Sequence, residues 1–567
     1  LEEVAKLREG DFDEKLIEAT INNYKMQLMR SFEENDSRAI LYVYSFISGA
    51  DWADEVARLD RMSKITKQDV VEWANKYLGP ESYAIIYKRE GKDPDEQKIA
   101  APKITPIVTN RDSQSEFLSE IQTSQVQPIE PVFVDYKKDM SQFEAQPGID
   151  VLYKKNETND IFTLIYVFNT GTENDPALNL AFNYLSYLGT DKMTAEEIAS
   201  EMYDIACSFY MNAGANQSSI QITGLSENMG KAMEIVEGLI AGAKPDEAIL
   251  ENCKADMLKS RADAKLNQSR CFGALQRYLF YGGDFIRRTT LTDPALQALT
   301  SEQLLAKIGG LMGKQHEVLY YGPQKEAEVK SALAEHHKVA ADLQPLEKKF
   351  STLLPTDANK VVLAQYDAKQ LYYLQFSNRG EKFDVAADPE ITLYNEYFGG
   401  GMNTIVFQEM REARGLAYTA WATLATPSNA NGDYSYYAFI ATQNDKMQKA
   451  VEAFDDIINN MPESEKAFGI AKEALVSRLR TERTVKDGVL WSYLRARDLG
   501  LDAPRDKQIF EKVQSMTLDD VKAAQQKWVK GRKYVYGILG DIQDLDLNYL
   551  KTLGPIQTVS QEEIFGY

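Results

Sequence analysis

At 567 residues the chain is too long for one hydrophobic core, so several domains are expected. Its 44% apolar and 26% charged residues are those of a globular protein, and no run of about 18 apolar residues offers a membrane span. A formal charge of −21 argues against nucleic acid as a partner, because phosphates would be repelled. Cys207, Cys253 and Cys271 are scattered and lack Cys-x-x-Cys spacing, which leaves core packing as their role. Leu1-Glu-Glu-Val-Ala-Lys-Leu already reads as a helix in progress. The expectation is a piece of something longer, with any targeting signal outside it.

In chain order, one plan recurs three times. The first copy opens at Asp13-Glu-Lys-Leu-Ile, an acidic N-cap leading into a helix whose Leu16, Ile17, Tyr24, Leu28 and Phe32 form an apolar stripe. A second helical stretch ends at Trp52, and the capping box Thr66-Lys-Gln-Asp69 opens another helix. Tyr83-Ala-Ile-Ile-Tyr-Lys then reads as a strand. Prolines, charges and short Ser/Gln runs mark Gly91 to Val132 as a linker.

The second copy begins with two hydrophobic strands, Val151 to Lys154 and Ile161 to Asn169, and a helix near Asn179 to Tyr187. The cap Asp246-Glu-Ala-Ile-Leu, the aromatic patch Tyr278 to Tyr281, the box Thr300-Ser-Glu-Gln303 and the strand His316-Glu-Val-Leu-Tyr-Tyr follow. The third copy runs through Val361 to Tyr366, Leu371 to Ser377, Glu390 to Tyr397, Ser464-Glu-Lys-Ala-Phe, Thr517-Leu-Asp-Asp520 and Lys533-Tyr-Val-Tyr-Gly-Ile-Leu. The spacing from cap to box (Asp13 to Thr66, Asp246 to Thr300, Ser464 to Thr517) agrees to within one residue, which identifies a repeated domain. Aligning Asp13 with Asp246 leaves roughly 100 residues of the first copy, its opening strands included, outside the sequence. Strands first, then long helices, then a closing strand indicate a repeated α+β sandwich, with helices packed on a mostly antiparallel sheet.

The third copy carries the most distinctive stretch, Phe398-Gly-Gly-Gly-Met-Asn-Thr-Ile-Val-Phe-Gln-Glu-Met-Arg-Glu-Ala-Arg-Gly-Leu-Ala-Tyr418. It reads as a glycine turn at Gly399, Gly400 and Gly401, then a short helix with Ile405, Val406 and Met410 on one face. Gly415 is placed to stop the helix in a left-handed conformation, ahead of a strand. Arg411 in the last turn and Tyr418 after the stop can converge, offering a guanidinium and a phenol to one oxygen. A surface charge at a helix C-terminus beside a core tyrosine accounts for the same residues.

This stretch is similar to a signature of the pitrilysin/insulysin family of zinc peptidases, whose larger members build a two-half clamshell from four α+β domains. The resemblance implies that residues 1–91 end the second domain, 92–132 link, 133–342 form an inactive third domain and 343–567 form the fourth. It implies that Arg411 and Tyr418 contact the substrate backbone and the carbonyl under attack. Gly399 to Gly401 would give a substrate close backbone approach, or simply make a tight turn. In the family, an inverted His-x-x-Glu-His motif in the first domain binds zinc. Counting back from Gly189-Thr190 and the box Thr194-Ala-Glu-Glu197 puts Leu180, Asn183 and Tyr184 at those positions, a set with no zinc chemistry.

The chain's three histidines are His316, which opens a strand and reads as a strand-edge residue, and His336 and His337, which point to different faces of a helix. No metal site is therefore expected in this chain. The resemblance implies the C-terminal, non-zinc-binding portion of a zinc endopeptidase that confines peptides. Zinc and base would come from an upstream half in cis or in trans, in the bacterial periplasm or outside the cell. The alternative is a non-catalytic homologue that binds peptides or builds an assembly.

Overall fold

Among the residues that the computed structural model describes (1–79, 81, 83–89, 91 and 115–567), twelve strands form two six-stranded sheets. The first holds β1 (Ser141–Gln146), β2 (Ile149–Lys155), β3 (Ile161–Phe168), β4 (Cys207–Ala213), β5 (Ser218–Leu225) and β6 (His316–Gly322), in the order β1-β2-β6-β3-β5-β4. The second holds β7 (Lys360–Gln365), β8 (Gln370–Lys382), β9 (Thr419–Ala425), β10 (Asp433–Gln443), β11 (Val535–Gly540) and β12 (Ile556–Val559), in the order β12-β7-β11-β8-β10-β9. In each, the closing strand of the repeat is inserted between the two opening strands. β6 runs parallel to β2 and antiparallel to β3, and β11 does the same with β7 and β8. Most pairings are antiparallel, as the α+β reading requires.

That insertion explains the one strand that fails. Tyr83 to Lys88 forms no strand, and Ile86 is 93% exposed. A closing strand is held by neighbours on both sides, and the first copy has no opening pair in the sequence to supply them. The linker reading falls largely on residues 92–114, outside the described residues, whereas Glu116–Thr123 beyond them is a helix capped by Ser115.

The chain divides into Leu1–Glu18 with Ala53–Glu130, and Ala19–Trp52 with Pro131–Tyr567. In the first unit the helix Glu2–Glu9 stops at Gly10 and lies against Lys67–Tyr77, where the Asn75 amide donates to the Arg8 carbonyl at 2.8 Å. The Thr66/Asp69 box caps the second of these helices, and the boxes at Thr194, Thr300 and Thr517 also form.

The second unit holds both sheets. Successive residues of a strand face opposite sides, so every central strand presents two apolar rows. In the first sheet Val151, Leu164 and Val318 face the helices of their own repeat, including Leu178–Leu185 and Met229–Gly242. The opposite row, Leu152, Ile165, Val167 and Leu319, is covered by Val489, Leu490 and Leu494 of the helix Gly488–Asp498, which belongs to the third copy. In the second sheet Leu363, Tyr373 and Ile538 face the helices Asp388–Phe398 and Met447–Asn459. Its outer row, Val362, Leu374, Phe376, Val535 and Leu539, is covered by Cys271, Leu275 and Leu279 of the helix Gln268–Thr289, from the second copy. Each repeat thus lends one helix to the other's sheet. The Arg497 guanidinium fixes one loan by donating to both Glu317 oxygens, at 2.5 and 2.7 Å.

All three cysteines are buried and unpaired, and burial pushes the Cys207 thiol up to about 12. No helix among the described residues is long and apolar enough to cross a membrane.

Gly537 lies where the lent helix crosses β11, and a Cβ there would stand 2.3 Å from Leu279 Cδ1. Gly537→Ala is expected to lower the thermal midpoint, at a cost of about 1–3 kcal/mol. Adding Leu279→Ala should recover part of that loss. A double-mutant cycle of thermal unfolding reads the coupling.

Candidate functional site

The stretch from Phe398 to Tyr418 folds as a turn, a helix and a strand entry. The apolar stripe drives the helix: Ile405, Val406 and Met410 are all buried in the core of the second sheet. The helix starts as Ile405–Phe407 and widens into a π-helical turn over Gln408–Ala413, a local feature often found at working sites. Gly415 ends it at φ 57, and the Leu416 N–H returns to the Met410 carbonyl at 2.9 Å. This reversal brings Tyr418 back beside the helix it left. Its own N–H donates to the Ala441 carbonyl at 3.3 Å as the chain enters β9.

Arg411 and Tyr418 therefore meet. The Arg411 guanidinium carbon lies 5.0 Å from the centre of the Tyr418 ring and 4.9 Å from that of Phe407, one helical turn earlier. Tyr418 is 72% exposed, so it is not the core residue that one reading allowed. Among the described residues, neither the Arg411 guanidinium nor the Tyr418 hydroxyl has a hydrogen-bond partner; the Glu412 carboxylate stands 3.6 Å from Arg411 Nε. Arg414 behaves differently, tied to Asp456 at 3.2 Å and Glu409 at 3.4 Å. Two aromatic rings thus hold one cation in place while leaving its N–H edge unspent. Sequence reasoning passed over Phe407. An aromatic residue four positions before the arginine was the available signal.

The glycine run divides. A Cβ on Gly399 would stand 1.9 Å from the Ala422 carbonyl oxygen, and the Ala422 N–H donates to the Gly399 carbonyl at 3.0 Å. Gly399 is thus the point where the helix Asp388–Phe398 closes on the edge of β9, and Asn395 completes that seam by bonding Leu424 N–H and C=O, each at 2.9 Å. Gly400 and Gly401 are exposed, with no atom closer than 4.0 Å to an added Cβ.

The three positions that the resemblance sets opposite a zinc motif include two that are built into the core. Leu180 is fully buried, Asn183 is exposed, and the buried Tyr184 hydroxyl donates to Ser301 Oγ at 2.9 Å and accepts from the Asp246 N–H at 2.8 Å. Tyr184 thereby braces the starts of two helices. These side chains do not fit zinc, and among the described residues no group of three or more His, Cys, Asp or Glu could hold a metal ion.

The histidines hold a surprise. His316 is buried on the central strand β6, not at a sheet edge, and its Nε2 lies 2.8 Å from Nε2 of the buried His337. His316 Nδ1 is 2.8 Å from the Lys314 carbonyl, and His337 Nδ1 is 2.5 Å from Glu237 Oε1. A carbonyl only accepts, so His316 carries its proton on Nδ1 and presents a lone pair at Nε2. The proton on the line between the two rings is therefore His337's. All four ring nitrogens are thus engaged: the two Nε2 atoms with each other, and the Nδ1 atoms with Lys314 and Glu237. His336, the neighbour of His337 in sequence, points elsewhere, toward Gly230; the two are not on two faces of one helix, as expected, because the helix Glu326–His336 ends before His337, which is extended.

Residues 315–475 match the profile of a family described as the peptidase M16 inactive domain. Over 312 residues the chain is 23% identical to an uncharacterized zinc protease of Rickettsia bellii, covering 53% of this chain and 70% of that protein. Among solved structures, a peptidase M16 inactive domain from Pseudomonas fluorescens superposes with a TM-score of 0.56 at 18% identity, covering 71% of this chain and 98% of that one. The periplasmic protease PqqL from Escherichia coli gives 0.55 at 13% identity, covering 95% of this chain and 62% of that one. At these identities the structures establish the fold.

Two expectations follow. Gly399→Ala forces backbone on backbone and should cost roughly 1–3 kcal/mol or more, whereas Gly400→Ala should leave the thermal midpoint unchanged. Burial, then the facing His337, push His316 from an ordinary 6.5 down to about 4. The unfolded chain binds a proton across that interval that the folded chain refuses. The contribution of His316 is therefore full above 6.5 and lost as pH falls toward 4, on the order of 3 kcal/mol in all. The thermal midpoint of His316→Phe should fall less steeply than wild type over that range.

Proposed function

We propose, for a chain that belongs to the pitrilysin/insulysin (insulinase-like) family, that it is the non-zinc-binding portion of a zinc endopeptidase and that Arg411 and Tyr418 supply its contacts to the peptide. The observation that carries this reading is the juxtaposition of an unspent guanidinium edge and an unspent phenol on one exposed face. The N–H groups of Arg411 and the O–H of Tyr418 can all donate, so a carbonyl oxygen entering between them meets donors already in place. Negative charge building on that oxygen during attack strengthens both contacts, and fixed donors need no reorganisation at that moment. Phe407 and Tyr418 flank the guanidinium, and Glu412 pairs with it only at Nε, at 3.6 Å.

Zinc and the general base belong, on this reading, to the upstream half, and the Rickettsia relative's name as a zinc protease supports that assignment. The domain limits 1–91, 92–132, 133–342 and 343–567 belong to the same proposal. The description of PqqL as periplasmic supports a periplasmic or secreted setting.

In the intact protein, Arg411→Ala and Tyr418→Phe should each lower kcat on the order of 100-fold while weakening peptide binding far less. Steady-state kinetics with a fluorogenic peptide separates the two effects. Unchanged kcat in both variants would remove the assigned role. An intact protein that binds peptides and never cleaves them would favour the non-catalytic homologue.

A further inference from the structure

A cavity of about 480 Å³ opens where the lent helix Gln268–Thr289, the connector between the second and third copies and the start of β10 meet. Its walls are rings: Phe280 and Tyr281 of the helix, Phe350 of the connector and Tyr437 of β10. The Phe280 ring lies 5.6 Å from that of Tyr437 and 4.4 Å from that of the buried Phe376, so core contacts hold the wall in place. The volume is in the range of sites that enclose a ligand group.

The polar side of the cavity is unspent. Ser435 lines it and is only 5% exposed, yet among the described residues its hydroxyl has no hydrogen-bond partner, and neither has the side chain of Asn431. Buried hydroxyls are ordinarily paired. A break in register between Asp433 and Ser435, where β10 departs from regular pairing with β8, falls at this wall, and such bulges re-aim side chains. Asp433 itself is taken, by the Asn378 amide at 3.2 Å and by Lys382 at 2.7 Å.

The cavity also terminates the strand that leaves the Arg411–Tyr418 pair. β9 starts one residue after Tyr418 and ends at Ala425, in the cavity lining. Between them the half-buried Trp421 stacks on Phe439 and meets the Tyr437 ring edge-on, each at 5.6 Å. Seven residues at about 3.3 Å each set the two ends about 23 Å apart, the span of about seven residues of an extended peptide.

We propose that this cavity is a subsite for a tyrosine side chain of an extended peptide, about seven residues from the carbonyl held at Arg411 and Tyr418; the assignment rests on the reading of that pair as peptide contacts. The four rings supply apolar walls for an aromatic side chain, and the Ser435 hydroxyl and Asn431 amide supply partners for its phenol. A peptide is the fitting ligand because β9 connects the two ends, with Thr419, Trp421 and Thr423 half-buried along one side of it. A site with polar groups waiting for a hydroxyl discriminates against a side chain that lacks one.

Thr352 is exposed on the connector and lines the cavity, so Thr352→Trp is placed to fill it without disturbing the core. Two uncharged, fluorescein-labelled twelve-residue peptides, one with a single tyrosine and one with alanine in its place, are titrated with the 567-residue chain and read by anisotropy. The tyrosine peptide should bind about tenfold more tightly to the wild type. That preference should vanish in Thr352→Trp, with the thermal midpoint unchanged, and fall at least about threefold in Asn431→Ala, a change at an exposed position. Equal affinities in the wild type, or a preference that survives both variants, overturn the proposal. The preference should persist in Arg411→Ala. Its loss there would place the ring at Arg411 and overturn the cavity assignment. Unchanged kcat of the intact Arg411→Ala protein, with the preference retained, would remove the role given to Arg411 and leave the subsite standing.

Discussion

The second unit of this protein depends on a reciprocal exchange: each of two sheets is roofed on its outer face by a helix that belongs to the other repeat. A sheet whose central strands are apolar on both sides cannot stand with one side in water. The rows Leu152–Ile165–Leu319 and Val362–Leu374–Leu539 would each be such a side. Neither repeat carries enough helices placed to cover both faces of its own sheet. Pairing two repeats solves the problem symmetrically, and the glycine at 537 and the Arg497–Glu317 pair are the local fittings that let the helices seat. This is why the repeat unit is half of a fold and the pair is the folding unit.

The paired scaffold also fixes the exposed site. Arg411 and Tyr418 meet because three features act together: an apolar stripe that sinks one side of a short helix, a π-helical turn, and a left-handed glycine that reverses the chain. Gly399 then seals the preceding helix against β9 so that the strand carrying Tyr418 out of the turn cannot drift. Tyr184 holds two helix starts, and the His316–His337–Glu237 line satisfies buried polar groups inside the first sheet's core.

Periodicity and capping chemistry are local, so they were legible in the sequence. The N-caps at Asp246 and Ser464, the boxes at Thr66, Thr300 and Thr517, and the opening strands of both sheets stand where the residues put them. The convergence of Arg411 and Tyr418 was legible too, because a helix, a stop and a seven-residue interval determine it within one short segment. The failure of Tyr83 to Lys88 as a strand shows the limit of local reading. Its composition is that of a strand, but a strand exists only through its neighbours.

The sequence by itself determined the repeat, the α+β plan, the burial of the cysteines and the segment in which a cation and a phenol meet. All of these follow from spacing along the chain. Only the tertiary structure decided which face of each sheet is roofed by which repeat, that Phe407 shares the grip on Arg411, that Gly399 alone of its run is sterically required, and that His316 and His337 share a proton. Apart from the Phe407–Arg411 contact, which lies within one helical turn, those facts join residues about twenty or more positions apart in sequence. Their distances are set by packing, which no local pattern of side chains encodes.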